Sequence, residues 1–420
     1  MTTTSLEAPT SQLTISSEDA LVAAMAAVNG DRPLHPVGAG GSKSPCFGTR
    51  GTALRFARYD QVVAVDGADV TIQAGATVAQ LNAALAAHGL ALPTNGEWGA
   101  ATVAGSMASG THGGSSRHSI LASSAVGLRL VTVGGNVLDL RRGDREGGGG
   151  AFDHAVVSLG LLGVISTITF RCEEAFHLEL AMRVVPFSWY ATHYAAENRD
   201  HEFHAAAWIP AVNSVITFSA DRVPTPARAR RRRERFSAAT FLLNRLARDF
   251  GIRSFPRAWF TATTSDRCDH VLTPIRNGST QVPLFKALSA DWRETELAVP
   301  ISRAGEAFEG LAALIRRYPR VLTNSVGLRA TAADTASLSP CYGRDTWWFA
   351  LFYRRHPAFE RELCSLFERL DARSHWGKHV VLCPEHIRAQ YPRWDAFRRM
   401  RTVCDPDGVL ANDFSRRFSL

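Results

Sequence analysis

Residues 34–43 read Leu34-His-Pro-Val-Gly-Ala-Gly-Gly-Ser-Lys43. A short apolar strand runs straight into three glycines, a serine and a lysine. Successive backbone N–H groups in such a turn can point inward and form a concavity for an anion such as a pyrophosphate. The stretch matches neither common phosphate-binding fingerprint. Lys43 stands where GxGxxG needs its third glycine, Pro45 interrupts any helix that would follow, and the Walker A spacing is absent. Taken alone, a plain surface turn explains it better than a ligand loop does.

The residues beyond it add weight. Gln61–Asp66 and Asp69–Gln73 alternate around Gly67 as a hairpin, and Val78–His88 has helical periodicity with Gly89 as a stop. A second run of small residues follows, Thr102-Val-Ala-Gly-Ser-Met-Ala-Ser-Gly-Thr-His-Gly-Gly-Ser115. Gly127–Val133 and Asn136–Leu140 form another hairpin. A third small-residue segment, Ser158-Leu-Gly-Leu-Leu-Gly-Val-Ile-Ser166, leads into the strand Thr167–Phe170. Three backbone-exposing segments in one α+β unit suit a long ligand threaded past several loops, and a dinucleotide such as FAD has that shape. The glycine distribution agrees: 25 of 33 glycines lie at or before Gly163, whereas Trp98 is the only one of nine tryptophans in that stretch. A glycine-rich front and a tryptophan-rich remainder imply two units with different work, with a boundary near 170–176.

The C-terminal part narrows the assignment. It contains Ser374-His-Trp-Gly-Lys-His379, Tyr391-Pro-Arg-Trp-Asp-Ala-Phe397 and Asp405-Pro-Asp-Gly-Val-Leu-Ala-Asn-Asp-Phe414, preceded by Glu296-Leu-Ala-Val-Pro300 and Tyr342-Gly-Arg-Asp-Thr346. With the glycine segments in this order, the chain resembles the vanillyl-alcohol oxidase superfamily, nearest the aldonolactone and alditol oxidases and dehydrogenases. The resemblance implies an α+β fold: a two-subdomain PCMH-type FAD-binding domain over 1–175, and a cap domain with a large antiparallel sheet over 176–370. A C-terminal segment over 371–420 would return to the FAD domain and complete the site. It further implies FAD contacts from Gly38, Ala39, Gly40, Gly41 and Ser42, from Gly105, Ser106, Ser109, Thr111, His112 and Gly113, and from Gly163, Val164 and Ile165. Lys378 is the expected cation beside the flavin, stabilising the anion left after hydride transfer to N5. His375 and His379 flank it, and either could take a hydroxyl proton or be structural.

Two positions depart from the family pattern. Gly41 stands where related oxidases carry a histidine covalently joined to the flavin, so FAD is expected to be held non-covalently. Cys46 nearby is expected to be a buried thiol rather than a substitute anchor. In Ser325-Val-Gly-Leu-Arg329 the family's Glu-x-Arg pair keeps Arg329 and has Gly327 in place of the acid. Arg329 could still orient a substrate oxygen, yet the vacated volume opens the way to a differently shaped substrate. The expected activity is FAD-dependent oxidation of a hydroxyl-bearing carbon of a polyol, sugar lactone or oxygenated secondary metabolite, with oxygen or another acceptor reoxidising the flavin. A redox-neutral flavoprotein and a non-catalytic flavin binder are the rival readings.

Composition bounds the rest. The chain has 420 residues, with 47 Lys+Arg against 39 Asp+Glu and a formal charge of +8. The densest basic run, Ala227-Arg-Ala-Arg-Arg-Arg-Arg-Glu-Arg235, opens a stretch of helical periodicity and carries no nucleic-acid signature, so no nucleic-acid partner is expected. No apolar run reaches the roughly eighteen residues of a membrane span, and the seven scattered cysteines have no CxxC spacing. A cytoplasmic protein with reduced thiols is the expectation. His201-Glu-Phe-His204 and the 375/379 pair lack a third ligand at sensible spacing, so no metal site is expected.

Overall fold

The computed structural model describes residues 9–30, 33–144, 150–223 and 292–420. The arginine run at 228–235 lies outside the described residues. The fold is α+β. A three-stranded parallel layer places Thr52–Phe56 between Ser11–Ile15 and Leu34–Pro36. Beside it lies a five-stranded antiparallel sheet, in the order Val62–Asp66, Asp69–Gln73, Val164–Arg171, Ala125–Val131, Val137–Arg141. Both hairpins expected from the alternation are present. Their turns use left-handed glycines, Gly67 at φ 56° in one and Gly134 and Gly135 at φ 87° and 78° in the other. Such angles cost glycine nothing and penalise a Cβ. The helix Val78–Ala87 starts at a reciprocal capping box between Thr77 and Gln80, and it buries Val78, Leu81 and Leu85.

The second unit is built on a seven-stranded antiparallel sheet, ordered His177–Pro186, Ser214–Val223, Phe203–Ile209, Val326–Thr331, Thr346–Arg354, Trp292–Pro300, Arg373–Ser374. Side chains alternate across its two faces. Trp347 and Phe349 pack against Phe308 of the helix Ala304–Arg317. Trp347 also meets Tyr194 of the helix Phe187–Asp200, and Phe349 meets Phe367 of the helix Pro357–Glu368. The strand residues of opposite parity, Glu294, Glu296, Trp348, Ala350, Gly327 and Arg329, therefore share the other face.

The C-terminal segment returns to the first layer. Asn412 Nδ2 donates to the carbonyls of Cys46 and Gly48, each at 2.9 Å, and His35 Nδ1 donates to the Leu410 carbonyl at 2.8 Å. Asp405 caps the turn that carries this return, accepting from the Val409 and Leu410 amides. Among the described residues, no helix is long and apolar enough to cross a membrane.

Candidate active site

The glycine segments meet because glycine lets them. A Cβ on Gly38 would stand 2.4 Å from Thr102 Oγ1, and one on Gly105 would stand 2.8 Å from the same atom. Thr102 caps the helix Val103–Ala108, accepting from the Gly105 amide. The second small-residue segment thus opens as a helix before becoming a loop; its cap and short side chains favour a turn of helix packed against the first loop. Gly40 takes φ 74°, and the Gly38 carbonyl accepts from Arg55 Nη1 at 2.7 Å. Ser42 Oγ and the Lys43 amide both donate to the Gly377 carbonyl, at 3.1 and 2.9 Å. The His-Trp-Gly-Lys segment therefore rests directly on the first loop, and Gly377 also lies close to Ser109.

Above these loops stands the polar face of the large sheet. Glu294 and Glu296 are two apart on one strand and point the same way. Glu294 pairs with Lys378. Burial would lower the Lys378 pKa, yet Glu294 and Glu296 outweigh it and raise the value above the usual lysine range. Lys378 is therefore a fixed cation. Arg329 Nη2 bonds Glu97 Oε1 at 2.7 Å. Burial opposes its charge as well, but Glu97, Glu296 and Glu294 keep it charged more firmly than a free arginine.

His112, Glu296 and His375 converge in a buried cluster. His112 stacks on Trp348 with ring centroids 3.8 Å apart. Its Nδ1 donates to the Gly113 carbonyl at 2.8 Å, and its Nε2 lies 3.3 Å from Glu296 Oε1. A carbonyl only accepts, so Nδ1 donates there and Nε2 is the nitrogen that faces the carboxylate. Burial would push the Glu296 carboxyl up, but His112, His375 and Arg329 hold it well below the usual range. His375 Nδ1 accepts from the Gly377 amide at 2.9 Å, and burial drives its pKa down to about 3. A neutral ring with Nδ1 so engaged carries its proton on Nε2, so His375 presents a donor rather than a free base. The ligand atoms of this trio lie within 4.8 Å of one another. At that spacing the trio could hold a metal ion, a grouping that the sequence spacing did not suggest; in its own contacts His112 meets Glu296 and His375 meets the Gly377 amide.

The fold thus brings together Gly38–Ser42, Gly105–Gly113, His375, Lys378 and Arg329. Gly163, Val164 and Ile165 sit differently. Gly163, at φ 147°, closes against the Val131 carbonyl, and Val164 and Ile165 pair with Val131 and Leu130 inside the five-stranded sheet. The neighbouring Leu159 amide reaches the Ala108 carbonyl. His379 holds the sheet edge, its amide on the Glu294 carbonyl and its own carbonyl accepting from Thr295 Oγ1. His204 is a core group between Ser219 and Tyr190, and His201 pairs with Asp221. Burial pushes the Cys46 thiol up to about 12, and its Sγ donates to the Trp376 carbonyl at 3.2 Å, so it is no nucleophile.

Sequence reasoning gave no role to Glu97, Trp98, Glu294, Glu296 or Trp348. One signal was available: glutamates two apart in a strand share a face. The loop residues carried none. The site suits a flavin dinucleotide on its own geometry. Ser106 Oγ is buried without a hydrogen-bond partner among the described residues, in the segment that packs on the first glycine loop.

Comparisons agree with this layout. The family profile for D-arabinono-1,4-lactone oxidase matches residues 168–418, and that for an FAD binding domain matches 9–141. The chain is 30% identical to an L-gulono-1,4-lactone dehydrogenase from Mycobacterium tuberculosis, over 97% of this chain and 94% of the relative. It is 29% identical to an alditol oxidase from a Streptomyces species, over 88% and 86% of the two chains. A solved cholesterol oxidase from B. sterolicum superposes with a TM-score of 0.73 at 14% identity, covering 97% of this chain and 93% of that one; at that identity the likeness speaks for the fold.

Proposed function

The chain belongs to the D-arabinono-1,4-lactone oxidase family, and from that premise we propose that it is an FAD-dependent oxidoreductase acting on a hydroxyl-bearing carbon of a polyol or sugar lactone. The observation that carries this reading is the convergence of Lys378 and Arg329, both held charged, over the joined segments Gly38–Ser42 and Gly105–Gly113. Bound FAD supplies the hydride acceptor. The two cations bind and polarise the substrate oxygen and offset the negative charge that builds beside them. His375 contributes an Nε2 hydrogen bond donor, and Trp348 with His112 excludes water from beneath.

Gly38, Ala39, Gly40, Gly41 and Ser42 would hold the pyrophosphate. Gly105, Ser106, Ser109, Thr111, His112 and Gly113 would run beside the ring system, with backbone support from Gly163, Val164 and Ile165. FAD is bound non-covalently in this reading: Gly41 has no side chain to bond it, and the Cys46 thiol is protonated and engaged. The division into 1–175, 176–370 and 371–420 follows the change from the five-stranded to the seven-stranded sheet and the return of the C-terminal helices. The described cysteines are all free, which supports a reducing, cytoplasmic setting. Oxygen or another small acceptor completes the cycle. The row Gly327, Ala350 and Ala207 beside Glu296 carries no polar side chain, so an oxygenated substrate bulkier and less hydroxylated than a sugar also fits.

The test is anaerobic mixing of the FAD-loaded protein with lactones, alditols and bulkier alcohols. Bleaching of the flavin band is expected with at least one of them, and Lys378→Met should keep FAD yet slow bleaching by about 10²-fold or more. Turnover with a persistently oxidised spectrum would replace hydride transfer with a redox-neutral reaction. Acid precipitation of the same preparation should leave a colourless pellet; a yellow one would refute non-covalent binding.

A further inference from the structure

The Arg329 side chain is only 19% exposed, and a guanidinium so far from water needs a counter-charge close by. Its own strand offers none. On the same face two residues earlier is Gly327, whose partners across the sheet are Ala207 and Ala350. The carboxylate arrives from the other unit of the protein, as Glu97 on the loop after Thr94. That loop is tied down on both sides. Asn95 Nδ2 donates to Asn82 Oδ1 at 2.9 Å, and Gly96 presses on Thr111 so closely that a Cβ would stand 2.3 Å from its methyl. The next residue reaches the opposite wall: the Trp98 indole occupies the space above Gly41, where a Cβ would stand 1.4 Å from the ring. Consecutive residues of one anchored loop therefore occupy the space at Gly41 and supply Arg329 with a carboxylate that Gly327 lacks.

We propose that Glu97 is the active-site carboxylate of Arg329, a positioning residue supplied by the loop rather than by the strand, and that it sets the charge balance around the flavin. This rests on the flavin oxidoreductase reading above. With Glu97 counted, three carboxylates (Glu97, Glu294, Glu296) stand against the two fixed cations Lys378 and Arg329, and removing Glu97 shifts that balance by one negative charge. A solvated alternative exists. Glu97 is 53% exposed, and an ordinary surface pair at such exposure is screened and changes nothing when removed.

Sulfite separates the two, because its lone pair adds to flavin N5 and leaves an anion whose stability reports the local charge without any substrate. Titrated by loss of flavin colour, FAD-loaded Glu97→Gln should keep its FAD content and bind sulfite at least about fivefold more tightly than wild type. Gly327→Glu in the same chain returns a carboxylate to the face of Arg329 and should bring the dissociation constant back to within about twofold of wild type. A Cβ at Gly327 has only the Ala350 methyl close by, at 3.2 Å. Sulfite binding by Glu97→Gln within about twofold of wild type would make Glu97 a surface group and overturn the proposal. So would a double variant that holds FAD and stays as tight as the single one. If the double variant does not hold FAD, Glu97→Gln alone decides, with Glu97→Asp as the conservative control that should stay near wild type. Wild-type protein that holds FAD but oxidises nothing defeats the oxidoreductase reading and leaves the sulfite result to judge Glu97; a chain that binds no FAD overturns both.

Discussion

Gly41 and Gly327 both stand where the family pattern has a larger residue, and their surroundings differ. At Gly41 the constraint is steric, since the Trp98 ring stands where a Cβ would go. Gly41→Ala is therefore expected to cost about 1–3 kcal/mol, the range for overpacking. Adding Trp98→Ala should recover most of that loss, because the half-exposed ring is the obstacle. Urea unfolding of both FAD-loaded variants measures it, and equal losses would show that something other than Trp98 fills the space. At Gly327 the nearest atom is the Ala350 methyl at 3.2 Å, so a side chain is admissible there. What Gly327 removes is chemistry, a carboxylate beside Arg329, and Glu97 supplies that group from elsewhere.

Among the elements, the helix Val103–Ala108 does more than its six residues suggest. Its cap, Thr102 Oγ1, is the atom on which both Gly38 and Gly105 close, so one hydroxyl ends a helix and joins the two glycine segments proposed to hold the cofactor. Thr102→Ala should lose about 1 kcal/mol of stability, as for other N-cap deletions. It should also weaken FAD binding, read by titrating the stripped protein with FAD. An unchanged FAD affinity would separate the helix from the cofactor site. The strand Trp292–Pro300 is the counterpart in the cap sheet: alternation puts Glu294 under Lys378 and Glu296 under His112, while Leu297 turns into the core. Two carboxylates two residues apart were legible as a shared face. Which cation each would meet was not, because the partners are brought in by other strands and by the C-terminal return.

At the scale of the whole molecule, burial keeps five histidines neutral among the described residues: His35, His154 and His379 fall to about 4, and His204 and His375 to about 3. Each regains its ordinary affinity for a proton on unfolding, so the unfolded chain binds more protons at every pH between those values and about 6.5. Stability from this source is complete above that pH and is lost as the pH falls towards 4, by up to about 1.4 kcal/mol per pH unit for each histidine. The thermal midpoint of the FAD-loaded protein should drop steeply between pH 7 and about 5. A flat profile over that interval would mean that these rings are already charged in the folded chain.

Much of this architecture could be read in advance because its signals are local. Period-two alternation marks the hairpins, capping residues and glycines mark helix ends, and the spacing of Gly38–Ser42 and of His375-Trp-Gly-Lys378 marks family segments. The α+β class follows from such runs, and the family segments suggested by resemblance are the ones from which a cofactor site is proposed. The tertiary structure alone decided the pairings that give the site its charge: Glu97 with Arg329, Glu294 with Lys378, and His112 with Glu296. Each joins residues remote in sequence, carried by elements whose periodicity says which face they present and nothing about what they face. Those contacts are set when the polar face of the seven-stranded sheet closes over the glycine loops. Burial then turns ordinary acids, a lysine and two histidines into a balanced cluster, a property of their shared surroundings that no single stretch of chain encodes.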